Sequence, residues 1–266
     1  MAAGPNESDE GALNGHVETI AAWIVAADYV VAFTGAGIST DSGIPDYRGP
    51  DGVWTRRDKG LPPPKWRVWA DEVRPNASHL ALVELQALGK LKFVISQNID
   101  NLHRASGIRP ELLAELHGNG RLVRCLGCDR QFGLDEVGWD PRGPGPGSRR
   151  QGLVPGQPAC PACGGRLVSS VVNFGDPMPQ KEMLLADRHA RRCDLMLALG
   201  SSLTVEPAAS LVAIAIRSGA RVVLVNRGET PYDHMVALRV WEGIGDVLPP
   251  AVERAKRAMG RREGRT

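Results

Sequence analysis

The chain has few aromatic residues, almost no net charge, no long apolar run, and an odd number of cysteines. Phe, Trp and Tyr together make up 5% of 266 residues. Lys and Arg number 32 against 30 Asp and Glu, a net charge of +2. That balance gives the body no strong field toward nucleic acid or an anionic membrane. Charge or Gly interrupts every apolar stretch well short of the roughly 20 residues that span a bilayer. The start, "MAAGPNESDEGALNGH", lacks the basic segment and apolar core of a signal peptide, so residues 1–15 read as a disordered leader on a cytoplasmic protein. Five cysteines, four of them in two tight pairs, do not make a disulfide framework. The end, "ERAKRAMGRREGRT", is basic. Residues 257–266 read as a solvated tail and not as a nucleic-acid arm.

What is present is an alternation of strand-like and helix-like runs. "ADYVVAFTG" (27–35), "KFVISQN" (92–98), "DLMLALGSS" (194–202) and "ARVVLVNRG" (220–228) are short β-prone runs that end in Gly or polar residues. Unbroken apolar character suits strands buried on both faces of a parallel sheet. Between them, "NASHLALVELQALG" (76–89) sets Leu80, Val83, Leu85 and Leu88 at helical spacing and stops at Gly89. "EPAASLVAIAIRSGA" (206–220) has Pro207 near its start and Gly219 near its end. The pattern predicts a doubly wound parallel α/β sheet. Ligands of such sheets bind beyond the carboxyl ends of the strands, where Gly35, Gln97, Gly200 and Asn226 fall. Two stretches break the rhythm: a Pro/Gly-rich region at 49–75 with Trp54, Trp66 and Trp69, and residues 121–169 with the cysteine pairs.

Cys125-x2-Cys128 and Cys160-x2-Cys163 are separated by 31 residues. Each pair can grip one ion from a tight turn, and four thiolates close a tetrahedral Zn²⁺ site with no open position. One structural zinc per chain is therefore predicted, and stripping it should unfold residues 121–169. The gap exceeds the usual range of roughly 15–20 residues, and the Pro/Gly loop at 141–158 accounts for the excess. No aromatic stacking set flanks the pairs, so a nucleic-acid partner is not expected. Cys193 reads as a small core residue.

Gly35-Ala36-Gly37 after a strand resembles a phosphate turn whose amides approach a pyrophosphate. The place of a third Gly holds Thr40, and no acid for the ribose follows at the usual distance, which disfavours hydride transfer. Asn226, past another strand, could bind ribose hydroxyls. His117 in "ELHGN" is either a packed histidine or a general base. Gln97, Asn98 and Asp100 in "SQNIDNLH" either face solvent or fix an amide-bearing ligand.

Taken together, "GAGISTDSGIPDYRG", "SQNIDNLH", "HGN", the paired knuckles, "VVNFGDPMP" and "GSSL" followed by "VN" occur in one order. This set closely resembles the sirtuin family of NAD-dependent protein deacylases over about residues 18–255. In wording it is nearest the class IV sirtuins, and a bacterial source fits. The resemblance implies a Rossmann-like domain (16–120 and 170–256, with 49–75 as a cleft segment) and a smaller inserted zinc-binding module at 121–169. NAD, consumed as co-substrate, would meet Gly35, Ala36, Gly37, Thr40, Trp54, Gln97, Asn98, Asp100, Gly200, Ser201, Ser202, Asn226, Gly228 and Ile244. Asp46, Tyr47 and Arg48 would also bind NAD, as a lid over the bond to be cut. Val172, Asn173 and Phe174 would pair with an acyl-lysine peptide by strand addition. His117 would be the base, with Asn98 and Asp100 holding the nicotinamide amide.

The implied activity transfers the acyl group of a lysine to ADP-ribose and releases nicotinamide, in a monomer acting on proteins. Alternatives are mono-ADP-ribosyl transfer at the same NAD site and a non-catalytic NAD or ADP-ribose sensor. Tyr47 stands where many sirtuins carry Phe, and its hydroxyl adds a polar group at the lid. Phe174 is retained where animal class IV proteins tend to lack it. No tyrosine follows Trp54 in the lid region, so a preference for acidic acyl groups is not expected.

Overall fold

The computed structural model describes residues 7–64, 72–139, 145–153 and 156–263. Trp66 and Trp69 lie outside the described residues. The strands are β1 (Val30–Thr34), β2 (Leu91–Ser96), β3 (Leu113–Glu115), β4 (Leu122–Cys125), β5 (Gln131–Gly133), β6 (Leu167–Ser169), β7 (Leu195–Leu199), β8 (Arg221–Val225) and β9 (Leu238–Val240). The helices are α1 (Glu7–Ala26), α2 (Val53–Asp58), α3 (Ala77–Ala87), α4 (Leu102–Ser106), α5 (Gln180–Arg192), α6 (Ser210–Arg217) and α7 (Ile244–Glu263).

Six strands make one parallel sheet in the order β3-β2-β1-β7-β8-β9. The four apolar runs seen in the sequence are its four central strands, and the short strands β3 and β9 close its edges. Alternate residues of β1 serve opposite cores, as two-sided burial requires. Val30 and Ala32 pack with Val17, Ile20 and Ile24 of α1, Leu82 and Leu85 of α3, and Val247, Leu248 and Val252 of α7. Val31 and Phe33 pack with Ala186 and Ala190 of α5 and Leu211 and Val212 of α6. The fold is the doubly wound α/β sheet that the alternation predicts. A second, antiparallel sheet, β5-β4-β6, carries the cysteine pairs around Val123, Trp139 and Leu167.

Residues 7–15 and 257–263 are more ordered than their composition suggests. The leader expected at 1–15 gives way to α1 from Glu7. Leu13 packs on the core, and Arg254 of α7 bonds Asn14 at 2.5 Å and Glu18 at 3.2 Å. The tail expected from 257 continues α7 to Glu263. Ala251 and Ala255 bury the inner face of that helix, and Arg257 pairs with Glu253 four residues back. In α3 the inward face is His79, Leu82 and Leu85, while Leu80 points outward.

Candidate active site

The carboxyl ends of the central strands meet in one cleft, stitched by backbone bonds. Gly35 N–H donates to Leu199 O (2.9 Å), Gly37 N–H to Gly200 O (2.8 Å), Gln97 N–H to Thr34 O (2.9 Å) and Gly200 N–H to Val225 O (2.9 Å). The glycines are required by this packing. A Cβ on Gly35 would lie 2.6 Å from Gly200 O, and one on Gly37 2.7 Å from Gly200 Cα. Gly200 itself has φ +65. This corrects the expectation that the amides of Gly35 and Gly37 serve a pyrophosphate directly: both are already bonded to carbonyls of the next strand ends. Ala36 opens the 3-10 turn Ala36–Ser42, and no side chain caps that turn. The Thr40 hydroxyl folds back to Gly37 O at 3.0 Å.

Beyond β2 the polar residues form a buried network around one hydroxyl. Ser39 Oγ donates to Asp100 Oδ2 at 2.6 Å and accepts from Asn98 Nδ2 at 3.3 Å. Asn98 Nδ2 also donates to Gly35 O at 3.1 Å, and Asp100 Oδ1 accepts the Leu102 amide at 2.9 Å. Asn98 and Asp100 are thus brought together with the 35–39 turn and do not face solvent at random. Gln97 Nε2 donates to the buried Ser201 Oγ at 2.9 Å.

His117 follows β3, and its Nδ1 is 2.8 Å from Gln97 O. A carbonyl only accepts, so Nδ1 carries the proton and Nε2 is left as the basic nitrogen. Burial lowers the His117 pKa, and the bond to Gln97 O partly opposes that. The imidazole is therefore neutral and ready to accept a proton near pH 7. Behind it, Gly118 (φ +77) passes so close to the chain that a Cβ would lie 1.9 Å from Ser170 O. Asn119 Nδ2 donates to Glu115 Oε1 (2.6 Å) and Asn101 Oδ1 (2.9 Å), tying the His117 loop to the Asp100 loop.

The rings of Tyr47, Trp54 and Phe174 lie in a tilted row, Tyr47 against Trp54 (centroids 5.1 Å) and Trp54 against Phe174 (5.9 Å), with Arg48 over the Trp54 ring (4.2 Å). Asp46 Oδ1 accepts the Gly49 amide at 3.0 Å, and burial raises its pKa above the usual carboxylate value. The Val172 amide donates to His117 O at 2.9 Å, so Val172, Asn173 and Phe174 begin beside the candidate base. At the far end of the cleft, Ser202 Oγ is 3.0 Å from Thr204 Oγ1, Asn226 Nδ2 donates to Gly228 O at 2.8 Å, and Ile244 is buried at the start of α7.

The four paired cysteines converge separately, in the second sheet. All four Sγ atoms lie within 4.8 Å of one another, with Cys125–Cys163 at 3.5 Å and Cys128–Cys160 at 3.8 Å. A tetrahedral Zn–S₄ centre with bonds of about 2.3 Å has sulfurs about 3.8 Å apart, so the donor set fits zinc. A disulfide would need about 2.05 Å. Gly165 packs on Cys125 Sγ, 2.9 Å from where a Cβ would be. Cys193 is buried in the main core, donates to Ala190 O at 3.2 Å, and has its thiol pKa pushed up to about 12 by burial.

The Sir2 family model matches residues 63–207. An NAD-dependent protein deacetylase 1 of Bradyrhizobium diazoefficiens is 40% identical over 257 residues, covering 90% of this chain and 96% of its own. The chain belongs to the Sir2 family. An NAD-dependent protein deacetylase of Thermodesulfovibrio yellowstonii is 38% identical over 85% of this chain and 90% of its own. A Sir2 structure with a p53 peptide and NAD⁺ superposes with a TM-score of 0.64 at 32% identity, covering 92% of this chain and 98% of that one. Within this Sir2 chain, sequence reasoning missed Ser39 and Asn119 as site residues. Both stand inside motifs it quoted, but their burial and partners come only with the fold.

Proposed function

We infer that the protein is an NAD-dependent protein lysine deacylase. The observation that supports the roles of its residues is the His117–Gln97 contact, which leaves Nε2 as the basic nitrogen of a ring held by the residue that precedes Asn98 of the Asn98–Ser39–Asp100 network. NAD supplies nicotinamide as leaving group and ADP-ribose as acyl acceptor. His117 takes a ribose hydroxyl proton at Nε2. With its Nδ2 engaged by Gly35 O and Ser39, Asn98 has its side-chain carbonyl left for a carboxamide N–H of nicotinamide. Asp46, Tyr47 and Arg48 form the lid over the bond to be cut, with Tyr47 and Arg48 set against Trp54.

Residues 16–120 and 170–256 serve as the NAD-binding body, and 121–169 as the zinc-held module. The partner is an acyl-lysine protein, met by strand addition at Val172–Phe174. Among the described residues no helix is long and apolar enough to cross a membrane. Five cysteines without a disulfide suit a reducing compartment such as the cytoplasm, where we place the enzyme as a monomer.

The test is nicotinamide release from NAD with acetyl-, butyryl- and myristoyl-lysine peptides, with the products weighed by mass spectrometry. Free lysine peptide and O-acyl-ADP-ribose are expected. A peptide gaining ADP-ribose, or no peptide-dependent nicotinamide release, would overturn the reading.

A further inference from the structure

The chain leaves the second sheet at Ser169 and returns to the main body at α5. Between them, Asn173–Asp176 makes a tight turn. The Asp176 amide donates to Asn173 O at 2.9 Å, and Asp176 Oδ2 accepts from the Asn173 amide (3.2 Å) and Nδ2 (3.3 Å). Gly175 sits at φ +81, and the Phe174 side chain stands 76% exposed at the tip. A peptide adding a strand here needs that turn held in one shape before it arrives.

The restraint comes from the cysteine-bearing module. Arg150 Nε donates to Asp176 Oδ1 at 3.0 Å, and its Nη2 lies 3.4 Å from Phe174 O. The guanidinium crosses the turn so closely that a Cβ on Gly175 would be 2.7 Å from Nη2. The Asp176 side chain is 4% exposed beneath it, while that of Arg150 is 63% exposed. The loop that carries Arg150 is itself built. The Ser169 amide donates to Gly147 O at 3.0 Å, and the Ser148 amide to Gln151 Oε1 at 2.8 Å. Arg166 Nη2 gathers the carbonyls of Ser148 (3.1 Å), Gly152 (2.9 Å) and Gln151. Arg166 directly follows Gly165, whose backbone packs on Cys125 Sγ and whose carbonyl accepts the Cys160 amide at 2.9 Å. Contacts therefore run unbroken from the thiolate cluster through Arg166 and Arg150 to the turn beside the peptide segment.

We propose that Arg150 is a positioning residue for the acyl-peptide: reaching across from the zinc module, it holds the Asn173–Asp176 turn in its peptide-receiving shape. This rests on the reading that Val172–Phe174 receive the peptide. Among the described residues Arg150 bonds only Asp176 and Phe174 O, and neither His117 nor a residue assigned to NAD, so its loss acts first on peptide affinity. Its two-point contact uses the guanidinium fork, which Lys reproduces only in charge.

The test is steady-state kinetics of Arg150→Ala, Arg150→Lys and Phe174→Ala on one acetyl-lysine peptide, with zinc content and melting temperature measured in parallel. For Arg150→Ala, peptide KM should rise about 3–10-fold, the range for a half-exposed charge-assisted bond. Its kcat, NAD KM, zinc content and melting temperature should stay as in wild type, and Arg150→Lys should recover part of the loss. If Phe174→Ala raises peptide KM and Arg150→Ala does not, the proposal is wrong while the peptide reading stands. If neither variant moves peptide KM, the peptide reading falls and the proposal with it. Losses in kcat, NAD KM and melting temperature together would make Arg150 merely structural and overturn the proposal.

Discussion

The Nδ1 of His117 lies 2.8 Å from the carbonyl oxygen of Gln97. One contact thus settles which imidazole nitrogen can act, since the carbonyl can only accept. It also joins the candidate base to the residue whose side chain reaches Ser201 across the cleft. His117→Ala should lower kcat/KM by about 10²–10⁴, the usual share of a general base, with zinc content unchanged. Burial lowers the His117 pKa from its ordinary 6.5, so the base stays competent at mildly acid pH. The acid limb of the kcat/KM profile should therefore have its midpoint below pH 6.5. A midpoint above that value would show that His117 is not the titrating base.

Ser39 is the junction of the Asn98–Asp100 network, proposed above to hold nicotinamide. Its single hydroxyl donates to Asp100 and accepts from Asn98, and alanine ends both bonds. A bond to an ionised carboxylate contributes about 1.5–3 kcal/mol, so Ser39→Ala should reduce kcat/KM for NAD by about 10–100-fold. The 3-10 turn keeps its backbone bonds, the Thr40 hydroxyl bond to Gly37 O and the Asn76 side-chain bonds to Ile38 O and Ser42, so urea unfolding should change less than kcat/KM does. An unaltered kcat/KM would mean that Asp100 needs no orientation.

Gly200 shows how far the phosphate-turn reading of the sequence had to change. It occupies φ +65, and a Cβ there would lie 2.5 Å from the Ile38 amide nitrogen. Gly200→Ala combines left-handed strain with overpacking against backbone, about 2–5 kcal/mol in all. Its urea midpoint should fall, and NAD binding should weaken because the 35–38 turn is displaced. A midpoint equal to wild type would mean that the turn can yield.

The strands were legible because two-sided burial writes continuous apolar runs, and the strand ends then placed Gly35, Gln97, Gly200 and Asn226 on one edge. The cysteine spacing likewise carried its chemistry openly. What sequence could not show is who packs against whom over long separations. The partner that forbids side chains on Gly35 and Gly37 is Gly200, far along the chain. The α1 helix is tied by Arg254, some 240 residues along the chain, so composition alone read its start as a disordered leader. Arg150 sat in a Pro/Gly-rich stretch with no signal until Asp176 appeared beneath it.

The fold buries His79 and His103 side by side, with ring centroids 5.1 Å apart. His103 Nε2 lies 2.9 Å from Thr34 Oγ1, and His79 Nδ1 lies 3.1 Å from Asn76 Oδ1 at the start of α3. Burial, helped by the neighbouring His79, lowers the His103 pKa to about 3, and burial, partly opposed by Asp100, lowers that of His79 to about 4. Both rings are thus neutral in the folded protein where an unfolded chain would already bind protons. Below pH 6.5 the unfolded state takes up more protons than the folded one, so stability falls as pH falls. The slope is about 1.4 kcal/mol per pH unit for each ring until its folded pKa is reached. Above pH 6.5 the pair contributes no pH dependence. Urea midpoints measured between pH 7.5 and pH 4.5 should therefore fall steeply on the acid side. His103→Gln retains a hydrogen-bonding group for Thr34 but cannot titrate, so it should flatten that fall. If the variant lost stability on acidification as steeply as wild type, the pair would not be the source of the acid lability.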